Sequence, residues 1–279
     1  MRHVQIVIPA RYQSTRLPGK PLRKIAGVEM IRRVATIAEY VCRANRFSDC
    51  TIAYTVATDD SRIADFCHEH HIPVVMTDAA CRSGTERCYN AVQRMEIEPE
   101  LVVNLQGDNP LCAPSILQSV ITAWHHDDGD LFTPCIHLSW DDYERLKIVK
   151  QTSPYSGTTV LVDCQGYALA FSKTLIPTIR NEEKAKINLA LSPIRQHIGL
   201  YAYRYAALRQ YFSLSACEYE NSAVEGLEQM RFLYHGLRIR MVEVDLQGRP
   251  FTSGVDSPED VERVEMVLRT FGEFDLSTT

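Results

Sequence analysis

The chain has 279 residues, 45% hydrophobic and 23% charged, enough to bury a sizeable core and near the upper size of one domain, so one domain with a smaller lobe is expected. A formal charge of -5 argues against a protein built to grip nucleic acid, while leaving room for a local cationic pocket. No run is apolar over the roughly 20 residues that span a bilayer, the N-terminus lacks a signal-peptide pattern, and the nine cysteines form no CxxC pair. Neither membrane insertion nor a disulfide or zinc framework is expected, and the expected address is cytoplasmic.

In chain order, VQIVI at 4–8 is a β-branched run that predicts a buried strand closed by Pro9. The cationic stretch ARYQSTRLPGKP, carrying Arg11, Arg16 and Lys20, follows the end of that strand. MIRRVATIAEY at 30–40 places Ile31, Val34, Ile37 and Ala38 at helical spacing and reads as a crossover helix. TIAYTVATD at 51–59 reads as a second strand, followed by a helix through Ile63, Phe66 and Cys67 and a third short strand at 72–76. SGTERCYNAVQRM at 83–95 reads as a helix. LVVNLQGDNP at 101–110 is the clearest buried strand, and it carries Asp108 to its carboxyl end, where open sheets bind ligands. The alternation predicts an α/β fold with a mostly parallel or mixed central sheet flanked by helices.

After an acidic turn at Asp127 to Asp130, DLFTPCIHL and ERLKIVKQT read as strands, and TTVLVDCQGYALAFS at 158–172 as a hairpin turning at Asp163 to Gly166. This material predicts a smaller antiparallel lobe. NEEKAKINLALSP at 181–193 carries no assigned structure. IRQHIGLYAYRYAALRQYF at 194–212 begins as one strand with His197, Tyr201 and Tyr203 on one face, then turns into a short helix. SAVEGLEQMRFLYHGL is expected to be a helix, with Glu228 and Gln229 roughly 100 degrees apart around it and Glu225 on its exposed surface. IRMVEVDL reads as a strand. The last helix should start at Ser257 as N-cap, with Pro258 first and Glu259 and Asp260 in its opening turn. His68, His70, His71, His125 and His126 show no ligand spacing and are expected to face solvent.

A phosphate cradle needs backbone N–H groups and cations near a strand-to-helix turn. The stretch at 10–21 has the cations and Gly19, but Pro21 follows Lys20, so GxxxxGK[ST] is missing, and so is GxGxxG. A P-loop kinase and a nicotinamide enzyme are disfavoured. A triphosphate held mainly by side chains stays open beside a plain basic surface loop. Asp108 and Asp256 could together hold Mg2+ through oxygen ligands and water, although each also suits a turn or a helix cap.

The ordered set RYQSTRLPGKPL, TDDSRIADF, SGTER, LQGDNP, GYALAFSK, IRQHIGLYAYR, LEQMR and GVDSPEDVERV resembles the 3-deoxy-manno-octulosonate (KDO) cytidylyltransferase family over nearly the whole chain. The resemblance implies a nucleotide-diphospho-sugar transferase fold: one cytidylyltransferase domain over 1–279, with an antiparallel acceptor-binding and dimerisation subregion at about 130–215. It implies a homodimer that transfers CMP from CTP to the anomeric hydroxyl of KDO or a KDO-like sugar acid, with Mg2+ as cofactor and pyrophosphate as the second product. Arg11 and Lys20 would then be triphosphate ligands in a site also lined by Arg16. Ser83, Gly84 and Thr85 would border cytosine and ribose, Gln106 would contact nucleotide or sugar, and Asp108 and Asp256 would be the metal pair. Lys173, His197, Tyr201, Glu228 and Gln229, with Arg16 and Gln106, would receive the acceptor.

The chain departs from the family pattern at four places. Asn109 stands where glutamate is usual and Lys173 where arginine is usual; Gly27 to Ile31 has lost a positive charge, and Cys217 to Asn221 is unlike the common Pro-Leu-Glu stretch. Lysine offers a point charge in place of a bidentate fork. CMP activation of a different acid, such as an amino-sugar acid or a phosphonate, and a noncatalytic nucleotide-binding regulator therefore stand as alternatives.

Overall fold

The apolar run at the N-terminus becomes the centre of a parallel sheet. In the computed structural model, which describes residues 1–14, 16–95, 98–250 and 254–276, β1 (Arg2–Ala10) buries Val4, Ile6, Val7 and Ile8 and runs one residue past Pro9. Of the stretches quoted above, Thr15 of the cationic loop lies outside the described residues. The chain divides into two compact units: Met1–Ile121 with Leu200–Ala206 and Leu246–Thr279, and Thr122–Gly199 with Ala207–Asp245. The second unit overlaps the subregion expected at 130–215 and also takes in the chain up to Asp245.

In the first unit, a short ribbon of β2 (Lys24–Ile25) and β3 (Val28–Glu29) leads into α1 (Met30–Arg43), followed by β4 (Cys50–Thr58), α2 (Ser61–Glu69), β5 (Val74–Met76), α3 (Gly84–Gln93), β6 (Leu101–Asn104) and α4 (Pro114–His126), whose residues from 122 onward belong to the second unit. β1 lies in parallel register between β4 and β6, with Ile6 opposite Tyr54 on one side and Val103 on the other, and β5 extends the sheet beyond β4. Strands buried on both faces read as continuous apolar runs, which is why β1, β6 and the second half of β4 were visible in the sequence.

The second unit contains β7 (Leu131–His137), α5 (Trp140–Thr152), β8 (Thr159–Val162), β9 (Ala168–Ser172), α6 (Glu182–Asn188) and β10 (Arg195–His197). The chain returns to the first unit for β11 (Tyr201–Arg204), which pairs antiparallel with β6. It continues through α7 (Tyr205–Tyr211), α8 (Met230–Tyr234) and β12 (Ile239–Glu243), and ends with α9 (Pro258–Phe271) in the first unit. Within the second unit β7, β10, β8 and β9 pair antiparallel in that order, and β12 joins β7 in parallel.

Three expectations are corrected here. ERLKIVKQT is not a strand but part of α5: Ser139 caps that helix by accepting from Asp142 N–H, Asp141 and Asp142 sit in its first turn, and Tyr143 and Leu146 alone are buried. With so narrow an apolar stripe the segment mimics strand alternation. The single strand expected from 194 is two, β10 and β11, separated by Ile198 to Leu200, so His197 belongs to one unit and Tyr201 and Tyr203 to the other. The long helix expected over SAVEGLEQMRFLYHGL shrinks to the five residues of α8, because Gly226 takes a left-handed φ of 62° that no continuing helix contains. Gln229 is the N-cap of α8 and Glu228 precedes it.

Among the described residues, no helix is long and apolar enough to cross a membrane.

Candidate functional site

A cleft of about 150 Å³ opens where the carboxyl ends of β1 and β6 meet the amino ends of α3 and α9, all within the first unit. Arg11 and Lys20 line it with Ser83, Gly84, Gln106, Asp108 and Asp256. Its construction begins at β6, where the chain turns through Gly107: a β-carbon there would lie 2.7 Å from the backbone oxygen of Pro9. Only glycine lets the loop carrying Asp108 pass this close to the end of β1.

Asp256 is brought to Asp108 by main-chain pairing and by the cap of α9. Val255 N–H donates to the Asp108 carbonyl at 2.8 Å. Ser257 accepts from Asp260 N–H, while the Asp260 carboxylate accepts from Asp256 N–H at 2.8 Å and Ser257 N–H at 3.0 Å. Burial pushes the Asp260 carboxyl up, but these backbone bonds and the Arg263 guanidinium hold it below the usual carboxylate range. Val255, Val261, Val264 and Leu268 pack with Leu17, Ile25 and Met30, so one apolar cluster carries both the cationic loop and the base of α9.

The cations then meet the carboxylates directly. Lys20 Nζ donates to Asp108 Oδ2 at 2.7 Å and to Asp256 Oδ1 at 3.0 Å, and an Arg16 Nη lies 3.1 Å from Asp256 Oδ2. An ammonium already sits between the two acids, so they are close enough to share one cation. Two hard oxygen donors fit Mg2+, which completes its shell with water and substrate phosphates. Among the described residues, no group of three or more acidic, histidine or cysteine side chains could form a fuller protein cage.

At α3, Ser83 is the N-cap, accepting from Glu86 N–H at 3.1 Å, while Glu86 accepts from Arg82 N–H at 2.9 Å. Ser83 and Gly84 face the cleft. Thr85 is buried, with its hydroxyl 3.0 Å from the Tyr203 hydroxyl, and is not among the cleft-lining residues. Gln106 donates to Asn104 Oδ1 at 3.0 Å. Tyr201 is half-buried and stacks on Tyr203 with ring centres 6.0 Å apart.

Arg82 and Arg87 also line this cleft, and no role was assigned to either from sequence. Arg87 is buried and donates to Thr77 Oγ1 at 2.6 Å, and the same Nη1 lies 3.2 Å from Asp59 Oδ1. Its signal was present, since SGTER places Arg87 one helical turn after Ser83 and Asp59 ends the second apolar run. Its burial was not legible.

The family model for cytidylyltransferases matches residues 5–239. A 3-deoxy-manno-octulosonate cytidylyltransferase from Maricaulis maris is 41% identical over 271 residues, covering 97% of this chain and 98% of its own. The chain belongs to the 3-deoxy-manno-octulosonate cytidylyltransferase family. A mitochondrial member from Arabidopsis thaliana is 34% identical, covering 94% of this chain and 82% of its own. A solved CMP:2-keto-3-deoxy-manno-octonic acid synthetase complexed with CTP matches with a TM-score of 0.78 at 32% identity, over 97% of this chain and 99% of the other. A 4-diphosphocytidyl-2C-methyl-D-erythritol synthase from Anaerococcus prevotii shares the fold alone, with a TM-score of 0.57 at 11% identity. The nucleotide-diphospho-sugar transferase fold expected from the resemblance is the one found.

In this KDO cytidylyltransferase family member, the departure at Asn109 is a turn residue: its N–H donates to the Gln106 carbonyl at 3.0 Å. The remaining acceptor candidates lie in the second unit. Lys173 follows β9 and is half-buried; burial pulls its ammonium below the ordinary lysine value, while the Glu225 charge opposes this. Glu225 is not the exposed helix residue expected: it is half-buried and bonded to the Lys173 segment. Glu228 accepts from the Tyr211 hydroxyl at 3.2 Å, and Gln229 is buried. Burial, with the Glu228 and Glu220 charges, pushes the Tyr211 phenol up, so it stays a donor. His70 and His125 are half-buried rather than solvent-facing, against the rings of Phe66 and Trp124 respectively.

His197 is buried, its Nε2 2.8 Å from Thr133 Oγ1 and its ring edge-on to Phe171. Burial first and the Lys173 charge second pull it from 6.5 to about 3, so it is neutral in the folded chain. The unfolded chain binds the extra proton, so this contribution to stability is complete above the ordinary value and declines as pH falls toward the folded one, by at most about 1.4 kcal/mol per pH unit. Urea unfolding at about pH 7 and about pH 5 should show a smaller acid loss for His197→Gln than for the parent protein. An equal loss in both would contradict a neutral buried His197.

Proposed function

We propose that this enzyme transfers CMP from CTP to the anomeric hydroxyl of KDO or a KDO-like sugar acid and releases pyrophosphate. The observation that carries the reading is the Lys20 ammonium shared by Asp108 and Asp256 at the sheet's carboxyl edge, with Arg11 beside it in one cleft. Family membership supports the choice of CTP and of a KDO-type acceptor.

The reaction needs no covalent protein intermediate. The sugar C2 oxygen forms a bond to the α-phosphorus as the bond from that phosphorus to the bridging oxygen breaks. The electron pair leaves with pyrophosphate, and the hydroxyl proton passes to solvent. Positioning and charge stabilisation do the catalysis. Arg11, Arg16 and Lys20 neutralise the triphosphate and the departing pyrophosphate. Ser83 and Gly84, at the amino end of α3, border cytosine and ribose, and the positive dipole end of that helix favours anionic oxygens nearby. Thr85 supports that turn from inside, and Gln106 contacts nucleotide or sugar. Mg2+ held by Asp108 and Asp256 would supply further stabilisation of phosphate oxygens. On the acceptor side the candidates are Arg16, Gln106 and Tyr201 of the first unit and Lys173, Glu228, Gln229 and a neutral His197 of the second. A cytoplasmic homodimer, as the family resemblance implies, completes the reading.

With CTP and Mg2+ present, pyrophosphate release should depend on KDO, and a panel of 8-amino-KDO, sialic acid and small phosphonates should be turned over less efficiently. Preference for another acid would relocate the acceptor specificity, and release without any acceptor would contradict transfer. Lys173→Arg should change the ranking of acceptors without a matching change in the KM for CTP.

A further inference from the structure

Lys173 is held in an unusual way. Both of its backbone polar groups are bonded to charged side chains from distant parts of the second unit. Its N–H donates to Glu225 Oε2 at 2.6 Å, and its carbonyl accepts from Lys150 Nζ at 2.6 Å. Glu225 Oε1 also accepts from the hydroxyl of Ser172 at 2.8 Å, and that hydroxyl oxygen accepts from Thr174 N–H at 3.0 Å. Lys150 gives its other donors to the carbonyls of Ser156 and Gly157, at 2.7 and 2.8 Å. The Thr174 carbonyl is fixed in turn by the Thr159 hydroxyl at 2.6 Å. The backbone at 172–174 is therefore tied to α5, to β8 and to the segment before α8.

The side chain of Lys173 has the opposite character. Among the described residues its ammonium has no hydrogen bond or ion pair shorter than 4 Å, although it is half-buried. Both Glu225 oxygens are occupied by the Ser172 hydroxyl and the Lys173 N–H, so Glu225 contributes charge without closing on the ammonium. A partly desolvated cation with a fixed backbone and open donors suits an anionic group of a ligand.

We propose that Glu225 and Lys150 are positioning residues for acceptor recognition, clamping the backbone of Lys173 so that its ammonium meets the carboxylate of the sugar acid. This rests on the acceptor role given to Lys173 above. Specificity at this position then comes from the clamp, which restores to a flexible lysine some of the fixed geometry that an arginine fork would carry itself. The charged and titratable groups facing Lys173 are Glu225, Lys150 and the neutral His197. Burial lowers the Lys173 value and the Glu225 charge raises it. Lys173 binds an anion only below its own pKa, so removing the Glu225 charge should make acceptor use fail at a lower pH.

The test uses the full chain with KDO as the probe acid. Glu225→Gln should raise the KM for KDO about tenfold and leave the KM for CTP within about twofold, as expected when one charge-assisted bond is lost on the acceptor side. The alkaline limb of kcat/KM for KDO should move to lower pH. Lys150→Met should raise the KM for KDO in the same selective way, and Lys150→Arg should restore most of it. Melting curves identify any variant that is simply unfolded. Equal rises in both KM values, or an unmoved alkaline limb, would overturn the clamp. Failure of the wild-type protein to turn over any acid would instead overturn the function. Hydrogen exchange at the Lys173 backbone amide, compared in wild type and Glu225→Ala with no acid present, then decides the clamp by itself: an unchanged exchange rate overturns it.

Discussion

Asp108→Ala should lower kcat/KM for pyrophosphate release by about a thousandfold, and Asp256→Ala by a similar factor, which is about 4 kcal/mol of lost transition-state stabilisation. The effect is large because each acid holds the same Lys20 ammonium, at 2.7 and 3.0 Å. Losing either leaves Lys20 and Arg16 short of a counter-charge and removes one of the two oxygen donors proposed to hold Mg2+. The fold should survive. Asp256 is 42% exposed and Asp108 29%, so solvent screens much of their pairing with Lys20. Far-UV spectra and melting curves should stay close to those of the parent. Near-normal turnover in both variants would remove the carboxylate pair from the mechanism.

Arg87→Leu should cost about 2 kcal/mol of folding stability, because it removes a buried guanidinium from Thr77 and from Asp59, whose side chain is 22% exposed. The Arg87 side chain is 4% exposed, and it bonds Thr77 and Asp59 from the first part of α3. It also lines the cleft, so the variant should raise the KM for CTP as well as lower the urea midpoint. Asp59→Asn combined with Arg87→Leu should recover part of the stability, since the stranded charge is gone. A loss below about 1 kcal/mol in the single variant would place the pair among ordinary surface bridges.

Some of this was legible in the sequence for reasons that particular residues make clear. β1, β6 and residues 55–58 of β4 are buried on both faces, and the three strands announce themselves as runs rich in β-branched residues. α9 carries a full start signal in Ser257, Pro258 and Asp260, and each takes the expected place. The segments that misled lack such signals: α5 buries only Tyr143 and Leu146 and so has almost no helical stripe, and the helix expected around Glu228 is cut by one glycine in a left-handed conformation.

Long-range pairing was the other limit. Nothing local connects Lys20 to Asp108 and Asp256, whose association depends on the Val255 to Asp108 backbone bond and on the shared cluster with Leu17. The family resemblance paired the two acids with each other as metal ligands, as the residues alone had allowed, and did not pair them with Lys20. It did not supply Arg87, whose importance lies in burial, or Glu225, which meets Lys173 across 52 residues of chain.

The most direct measurement is product mass and stoichiometry in a single reaction of enzyme, CTP, KDO and Mg2+. One CMP-KDO adduct should form for each pyrophosphate released, with neither product when KDO is omitted. Free CMP with pyrophosphate and no adduct, or tight CTP binding with no pyrophosphate at all, would contradict it.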